Sequence, residues 1–233
     1  MSREELLARL AARIAAVRRD HPVRVAVDGV DASGKTTLAN ALTGPLEALG
    51  RTVIRASIDG FHNPASVRRA RGPDSPEGYY RDSFDHAALV RILLEPFGPG
   101  GSLRYRRAVF DFRSDSPVNA RLETAAPDSI LLFDGVFLLR PELRPYWDFS
   151  IFVRADFKTT LKRALDRDAG LFGTAHETKA RYERRYIPGQ MIYLEEAHPE
   201  RNASVVVDNN DPANPRIVQA SRDGSGTDPL RSN

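Results

Sequence analysis

Apolar residues open the chain at helical spacing. Leu6, Leu7, Leu10, Ile14 and Val17 fall on one face, so residues 2–20 are expected to form an amphipathic helix. A β-rich run follows at residues 23–27 (Val-Arg-Val-Ala-Val) and closes on Asp28-Gly29. Helical periodicity returns over residues 36–49, with Gly50 as the expected stop, and residues 52–58 read as a second strand. Gly60, Pro64, Gly72, Pro73, Pro76 and Gly78 punctuate residues 60–80, which predicts a long loop. A helix is expected over 84–94, a turn over 96–101 and a strand or hairpin over 103–112. The uninterrupted apolar runs at 129–133 and 149–153 suit central parallel strands buried on both faces. Helices are expected over 157–168 and 181–196, and a last short strand over 203–207. Strands alternating with helices predict an α/β fold: a doubly wound, mostly parallel sheet with flanking helices, in one domain over 1–220. The Gly/Ser/Asp-rich residues 221–233 are expected to be a disordered tail.

Composition narrows the picture without changing it. The chain has 233 residues, 41% hydrophobic and 28% charged, as soluble domains do. Its 34 basic and 31 acidic residues interleave, which argues against the clustered stripe of a nucleic-acid-binding surface. With no cysteine, disulfides, thiolate catalysis and cysteine zinc sites are excluded. Arg3, Glu4, Glu5, Arg9, Arg13, Arg18 and Arg19 interrupt the first twenty residues, so neither a signal peptide nor a membrane span is expected there. The expectation is a soluble cytoplasmic protein with no membrane partner; self-association is left open.

The strongest chemical signal is Gly29-Val30-Asp31-Ala32-Ser33-Gly34-Lys35-Thr36, a full match to G-x-x-x-x-G-K-[ST] between a strand and a helix. Glycines let the backbone curl so that successive N–H groups face phosphate oxygens, and the following helix start favours negative charge. Lys35 is placed to reach the β- and γ-phosphates, and the Thr36 hydroxyl, followed by Thr37, to hold Mg²⁺. The run at 130–134 is a second signal, setting Asp134 at the carboxyl end of a buried strand near that metal. No guanine-reading N-K-x-D motif occurs, and Phe137 stands where a D-x-x-G switch would need glycine. A small-molecule kinase remains, which needs an acceptor pocket, a carboxylate to receive the hydroxyl proton and arginines to balance the moving phosphoryl group. Asp59 ends the second expected strand, on the sheet edge that carries the P-loop, and is the candidate base and a further metal candidate. Arg163 and Arg167 lie four apart, hence on one helix face. His62, Arg68, Arg69, Arg71, Tyr79, Tyr80, Phe112, Arg113 and Asp115 are acceptor-site candidates, and so many arginines favour an anionic or polyhydroxyl acceptor.

Taken in order, the P-loop, the Asp59 segment, Phe110-Asp111-Phe112, Asp134-Gly135 and Arg163-x-x-x-Arg167-Asp168 resemble the uridine–cytidine kinases. These belong to the superfamily of phosphoribulokinase, uridine kinase and pantothenate kinase. The resemblance implies ATP as donor, Mg²⁺ as cofactor, a nucleoside or similar metabolite as acceptor, and Asp59 as base. It further implies a lid over about 157–190 bearing Arg163 and Arg167, and residues 209–215 near the adenine. Departures bear on the acceptor. Where the family carries Tyr-Asp-Phe-x-x-His-Ser-Arg, this chain has Asp115 for the His and Pro117 for the Arg, and Leu171-Phe172-Gly173 replaces a lid Arg-Gly. The family's Asp on the ribose hydroxyls has no counterpart, with Tyr79 or Tyr80 nearby. Asp59-Gly60-Phe61 with Pro76-Glu77-Gly78-Tyr79 is instead similar to pantothenate kinase. The expectation is therefore a uridine kinase-like enzyme, with a pantothenate or sugar kinase as alternative. A regulatory ATPase or a polynucleotide-directed enzyme is the alternative from another class.

Overall fold

The structure is a computed structural model that describes residues 1–167 and 174–220. In chain order its elements are α1 (Arg3–Ala16), β1 (Val23–Gly29), α2 (Lys35–Ala48), β2 (Val53–Ser57), α3 (Ala65–Arg68), α4 (Pro76–Asp82) and α5 (His86–Leu89). The short strands β3 (Arg104–Tyr105), β4 (Phe110–Asp111), β5 (Ser116–Pro117) and β6 (Glu123–Thr124) come next, then β7 (Ile130–Gly135) and β8 (Phe149–Arg154). The chain continues through α6 (Phe157–Arg167), α7 (Ala175–Arg181), α8 (Ile187–Ala197), α9 (Pro199–Asn202), β9 (Val205–Asp208) and β10 (Arg216–Ala220).

Six strands form the central sheet in the order β10-β9-β8-β1-β7-β2. All neighbours are parallel except the β10–β9 pair. This is the expected doubly wound sheet. Its two faces carry separate cores, because successive side chains of a strand point to opposite sides. Val23, Val25 and Val27 pack with Leu6, Leu10 and Ile14 of α1 and Leu38, Leu42 and Leu46 of α2. On the other face Ala26, Leu131 and Phe133 meet Tyr80, Leu89, Phe137 and Tyr193. Strand order reverses about β1, so β1, β2 and β7 deliver Gly29, Ser57 and Gly135 to one carboxyl edge, where ligands bind in such sheets.

Several expected elements are corrected. The first helix stops at Ala16, because Val17 turns extended as its C-cap (φ −64°, ψ 127°). The loop over 60–80 contains α3 and α4. Ser75 accepts a hydrogen bond from the Gly78 N–H at 3.0 Å and Pro76 starts the helix, both ordinary start signals. The segment 103–112 is split between two antiparallel ribbons, β3–β6 and β4–β5. The helix expected over 181–196 is helical throughout but changes its winding. Pro188 lacks an N–H, and the chain widens into a π turn at Tyr182–Tyr186 before α8 begins. Strand β10 was not expected at all. The tail at 221–233 and the Leu171-Phe172-Gly173 departure lie outside the described residues.

Candidate functional site

The P-loop follows directly from β1. Ala32 (φ 54°) and Gly34 (φ 97°) bend the chain left-handed, and Gly34 is the N-cap of α2. A Cβ on Gly34 would collide with Nδ2 of Asn209, which donates to the Ser33 carbonyl at 2.7 Å. Glycine is thus required there twice over, by its backbone and by that close approach. No side chain caps α2, so its first-turn N–H groups face outward. Lys35 Nζ reaches the Val30 carbonyl at 3.2 Å. Ser33 Oγ is buried with no hydrogen-bond partner among the described residues. A buried donor next to the uncapped start of α2 is what a phosphate oxygen would satisfy, so the residues fit a nucleotide's phosphates.

Asp134, at the end of β7, is almost fully buried and held at both oxygens. Thr36 Oγ1 donates to Oδ2 at 2.6 Å, and Arg55 Nη2 donates to Oδ1 at 2.6 Å. Arg55 projects from β2 and is fixed in turn by Asn40 Oδ1, at 3.1 and 3.2 Å, and by the Leu132 carbonyl. Sequence reasoning missed Arg55; the β2–β7 register, which sets it opposite Leu132, was the only route to it. Among the described residues no three His, Asp or Glu side chains group as a metal cage. Thr36 and Asp134 suit a Mg²⁺ that keeps water and phosphate oxygens as its other ligands. Gly135 lets β7 run under Ile58, whose Cβ and Cγ2 would lie 2.6 and 2.5 Å from an added Cβ. That contact places the turn bearing Asp59 beside Asp134.

A cavity of about 440 Å³ opens from the P-loop. Ala32, Gly34, Lys35, Thr36 and Thr37 line one end, and Arg163 and Arg167 of α6 line it as well. Asn209, Pro212 and Pro215 form a further wall, and Arg3 and Leu6 of α1 complete it. The part played by α1 had no sequence signal. Arg163 Nη2 donates to the Asn209 and Asn210 carbonyls, each at 2.9 Å, and Arg167 Nη2 to Tyr182 Oη at 3.0 Å.

On the other side of the P-loop, Asp59 sits in the turn Ile58–Phe61, its N–H on Ser57 Oγ at 3.4 Å. Its carboxylate is open to solvent yet walled by protein. That desolvation raises its pKa, with the Asp31 and Asp134 charges adding to the rise and His62 and Lys35 opposing it. The His62 ring lies between Phe84 and Phe112, with centroids 4.5 and 4.7 Å away. Burial lowers its pKa, so it is neutral near pH 7. Its Nδ1 is 3.0 Å from the Asp59 carbonyl, which only accepts; Nδ1 therefore carries the hydrogen and Nε2 is left as an acceptor. Asp31 accepts from Tyr79 Oη at 2.7 Å.

Other acceptor candidates are placed elsewhere. Tyr80 is 2% exposed and packs on Phe137 and Tyr193, which makes it a core residue; the helical turn that turns Tyr79 to the cleft turns Tyr80 inward. Asp115 is engaged within the protein through Oδ1. It accepts from the Ala65 N–H, which starts α3, and from Arg68 Nη2, both at 2.9 Å, and so latches the β4–β5 turn to α3. Arg71 is exposed and pairs with Asp82 at 2.7 Å. Arg113 lies over the Phe112 ring, 5.8 Å from its centroid. Arg69 is exposed.

No family model matches this chain. Curated proteins do. A pantothenate kinase of Streptomyces coelicolor is 29% identical over 181 residues, covering 71% of this chain and 53% of the relative. Uridine-cytidine kinase B of Dictyostelium discoideum is 28% identical over 158 residues, covering 67% and 63%. The chain is homologous to the pantothenate and uridine kinases. It spans about half the length of the pantothenate kinase. Solved structures agree on the fold. A Bacillus stearothermophilus protein described as a "Possible Uridine Kinase" superposes with TM-score 0.69 at 23% identity, covering 87% of this chain and 97% of that one. D-glycerate 3-kinase from Cryptococcus neoformans gives 0.60 at 12%, covering 91% and 97%. The fold is therefore that of the P-loop kinases.

Proposed function

We propose that this chain is an ATP- and Mg²⁺-dependent kinase that phosphorylates a hydroxyl of a small metabolite, with a nucleoside the first acceptor to test and pantothenate or a sugar next. One observation carries the reading: Asp59, a carboxylate walled by protein, lies within electrostatic reach of both Lys35 of the P-loop and Asp134. That neighbourhood supports reading Asp59 as a base set near the γ-phosphate of a P-loop nucleotide. A nucleotide switch has no use for it.

In this mechanism the P-loop N–H groups and Lys35 hold the phosphates, and Arg163 and Arg167 face the same cavity with positive charge. Thr36 and Asp134 hold the Mg²⁺ site, Arg55 keeping the carboxylate in one orientation. When bound, Mg²⁺ offsets the charge that develops on the phosphate oxygens. Asp59 accepts the acceptor's hydroxyl proton as its oxygen attacks the γ-phosphorus, and the bond to the bridging oxygen breaks to release ADP. Among the described residues no helix is long and apolar enough to cross a membrane.

The test is ADP release from MgATP with uridine, cytidine, other nucleosides, pantothenate and sugars added singly. Acceptor-dependent release is expected. Hydrolysis that no acceptor stimulates would reject the reading in favour of a regulatory ATPase, and phosphorylation of oligonucleotide ends would favour a polynucleotide-directed enzyme.

A further inference from the structure

Three carboxylates meet at the carboxyl edge of the sheet, and the mechanism uses only Asp59 and Asp134. The third, Asp31, belongs to the P-loop, but the residues lining the nucleotide cavity run through Ala32, Gly34, Lys35, Thr36 and Thr37 and leave it out. Its side chain is held from the opposite side. Oδ2 accepts from Tyr79 Oη at 2.7 Å and from Gln190 Nε2 at 3.5 Å, and the Asp31 N–H donates to Gln190 Oε1 at 2.6 Å. Tyr79 and Gln190 are themselves buried, 8% and 1% exposed. They come from α4 and α8, which touch so closely that a Cβ on Gly189 would lie 2.7 Å from the Pro76 carbonyl. Two packed helices thus fix a half-buried P-loop carboxylate in one orientation, and its Oδ1 accepts no hydrogen bond among the described residues. Asp31 is also close enough to Asp59 to act on its charge.

The cations of the acceptor segment are differently disposed. Arg68 is paired with Asp115, Arg71 with Asp82 and Arg107 with Glu123. Arg185, buried beside Tyr79, donates to the Arg68, Gly72 and Pro73 carbonyls. Asp31 and Asp59 stand close together while Arg68, Arg71, Arg107 and Arg185 are already engaged, which weakens the pull on an anion and invites hydrogen-bond donors.

We propose that Asp31 is an acceptor-binding residue: its Oδ1 takes a hydrogen bond from a second hydroxyl of the acceptor while Asp59 takes the proton of the first, so the acceptor is an uncharged polyol. This rests on the kinase reading above and narrows it. A carboxylate held by its other oxygen is a strong acceptor with little freedom left to lose. A site built to hydrogen-bond a hydroxyl discriminates sharply against the analogue that lacks it.

The experiment measures kcat/KM by ADP release for matched acceptor pairs. Panthenol against pantothenate and glycerol against glycerate test charge; each nucleoside or sugar that responds is set against its monodeoxy analogues to test the second hydroxyl. Wild type is expected to prefer the neutral member at least tenfold and to lose about a hundredfold with one particular hydroxyl. Asp31→Asn keeps the shape and an oxygen for Tyr79 but removes the charge. Its polyol-to-deoxy ratio should fall to within about threefold, the loss residing in KM. Because each ratio is taken on one protein, a general loss of activity cancels. Should Asp31→Asn not fold, Tyr79→Phe, which releases Oδ2, should shrink the same ratio. A wild-type preference for the anionic members, or an unchanged ratio in a folded Asp31→Asn, would overturn the inference while leaving the kinase standing. Absence of stimulation by every acceptor would overturn both.

Discussion

Replacing Asp59 with asparagine isolates the charge of the proposed base with little else disturbed. The residue's backbone contact to Ser57 Oγ does not involve the side chain, and the side chain is open to solvent, so folding stability should stay within about 0.5 kcal/mol. Relief of repulsion from Asp31 and Asp134 acts in the stabilising direction. Catalysis should suffer heavily. A positioned general base contributes roughly 10²–10⁴ in rate, about 2.7–5.5 kcal/mol at 1.36 kcal/mol per tenfold. With a good acceptor at saturation, kcat of Asp59→Asn measured by coupled ADP release should fall by that factor. ADP affinity by calorimetry should change little, because the phosphates are held by the P-loop. The pH profile supplies a second check. Desolvation raises the Asp59 pKa above the usual carboxylate value, and the base works only when ionised. Wild-type kcat/KM should therefore rise with pH along an acid limb centred above 3.8, and Asp59→Asn should lack that limb. Turnover within about twofold of wild type, or an unaltered limb, would refute the assignment of Asp59 as base.

Three further outcomes follow from geometry. Gly34→Ala puts a side chain at φ 97° and against Asn209, which should cost about 1–3 kcal/mol in chemical denaturation and weaken ADP binding; unchanged values for both would refute the P-loop packing described. Arg55→Leu strands one oxygen of buried Asp134 and should destabilise by about 2–4 kcal/mol, somewhat less than for a fully buried pair because Arg55 is partly exposed; a loss under about 0.5 kcal/mol would show that the ion pair does not form. His86 has its pKa lowered from 6.5 to about 4, first by burial and then by Arg140, and its buried Nε2 has no partner among the described residues. Between those two values the unfolded chain binds the extra proton, so stability should fall as pH drops through this window, by up to about 3 kcal/mol, and His86→Phe should flatten that part of the curve.

The parts of the fold that were legible in the sequence are those set by local chemistry. Val-Arg-Val-Ala-Val before Gly29, and the apolar run closed by Asp134-Gly135, announce central strands because burial on both faces demands continuous apolar residues. The phosphate loop is legible because its backbone tolerates few residues at Gly34. What could not be read depends on partners distant in sequence. Arg55 looks like any strand residue until β7 is laid beside β2. Asp115 stands at a position that suggests ligand contact, and only the fold shows Ala65 and Arg68 both engaging its Oδ1. Tyr79 and Tyr80 are adjacent in sequence and face opposite surroundings, a division that required knowing α4 exists. Glycine and proline spacing had suggested a loop there, Gly72, Pro73, Pro76 and Gly78 all reading as breakers.

The homologous kinases act on chemically dissimilar acceptors, and the structure gives a physical reason why such variation is accessible. The proposed donor side is built from backbone N–H groups, Lys35, Thr36 and Asp134, all within or against the sheet edge, where a change disturbs the core as well as the chemistry. The proposed acceptor side is built from side chains carried outside the sheet: His62 after a single turn, Tyr79 on α4, Phe112 beside β4 and Gln190 on α8. These elements meet through pairs such as Arg68–Asp115 and Arg71–Asp82, whose exchange costs about 1 kcal/mol or less where they are exposed. Acceptor choice can therefore shift through substitutions that leave the fold and phosphoryl transfer intact. Residues that bridge the two sides are the exception. Asp31 belongs to the P-loop by its backbone and is held by α4 and α8 through its side chain, so under the proposed reading it is where a change of acceptor must be reconciled with the chemistry of the donor.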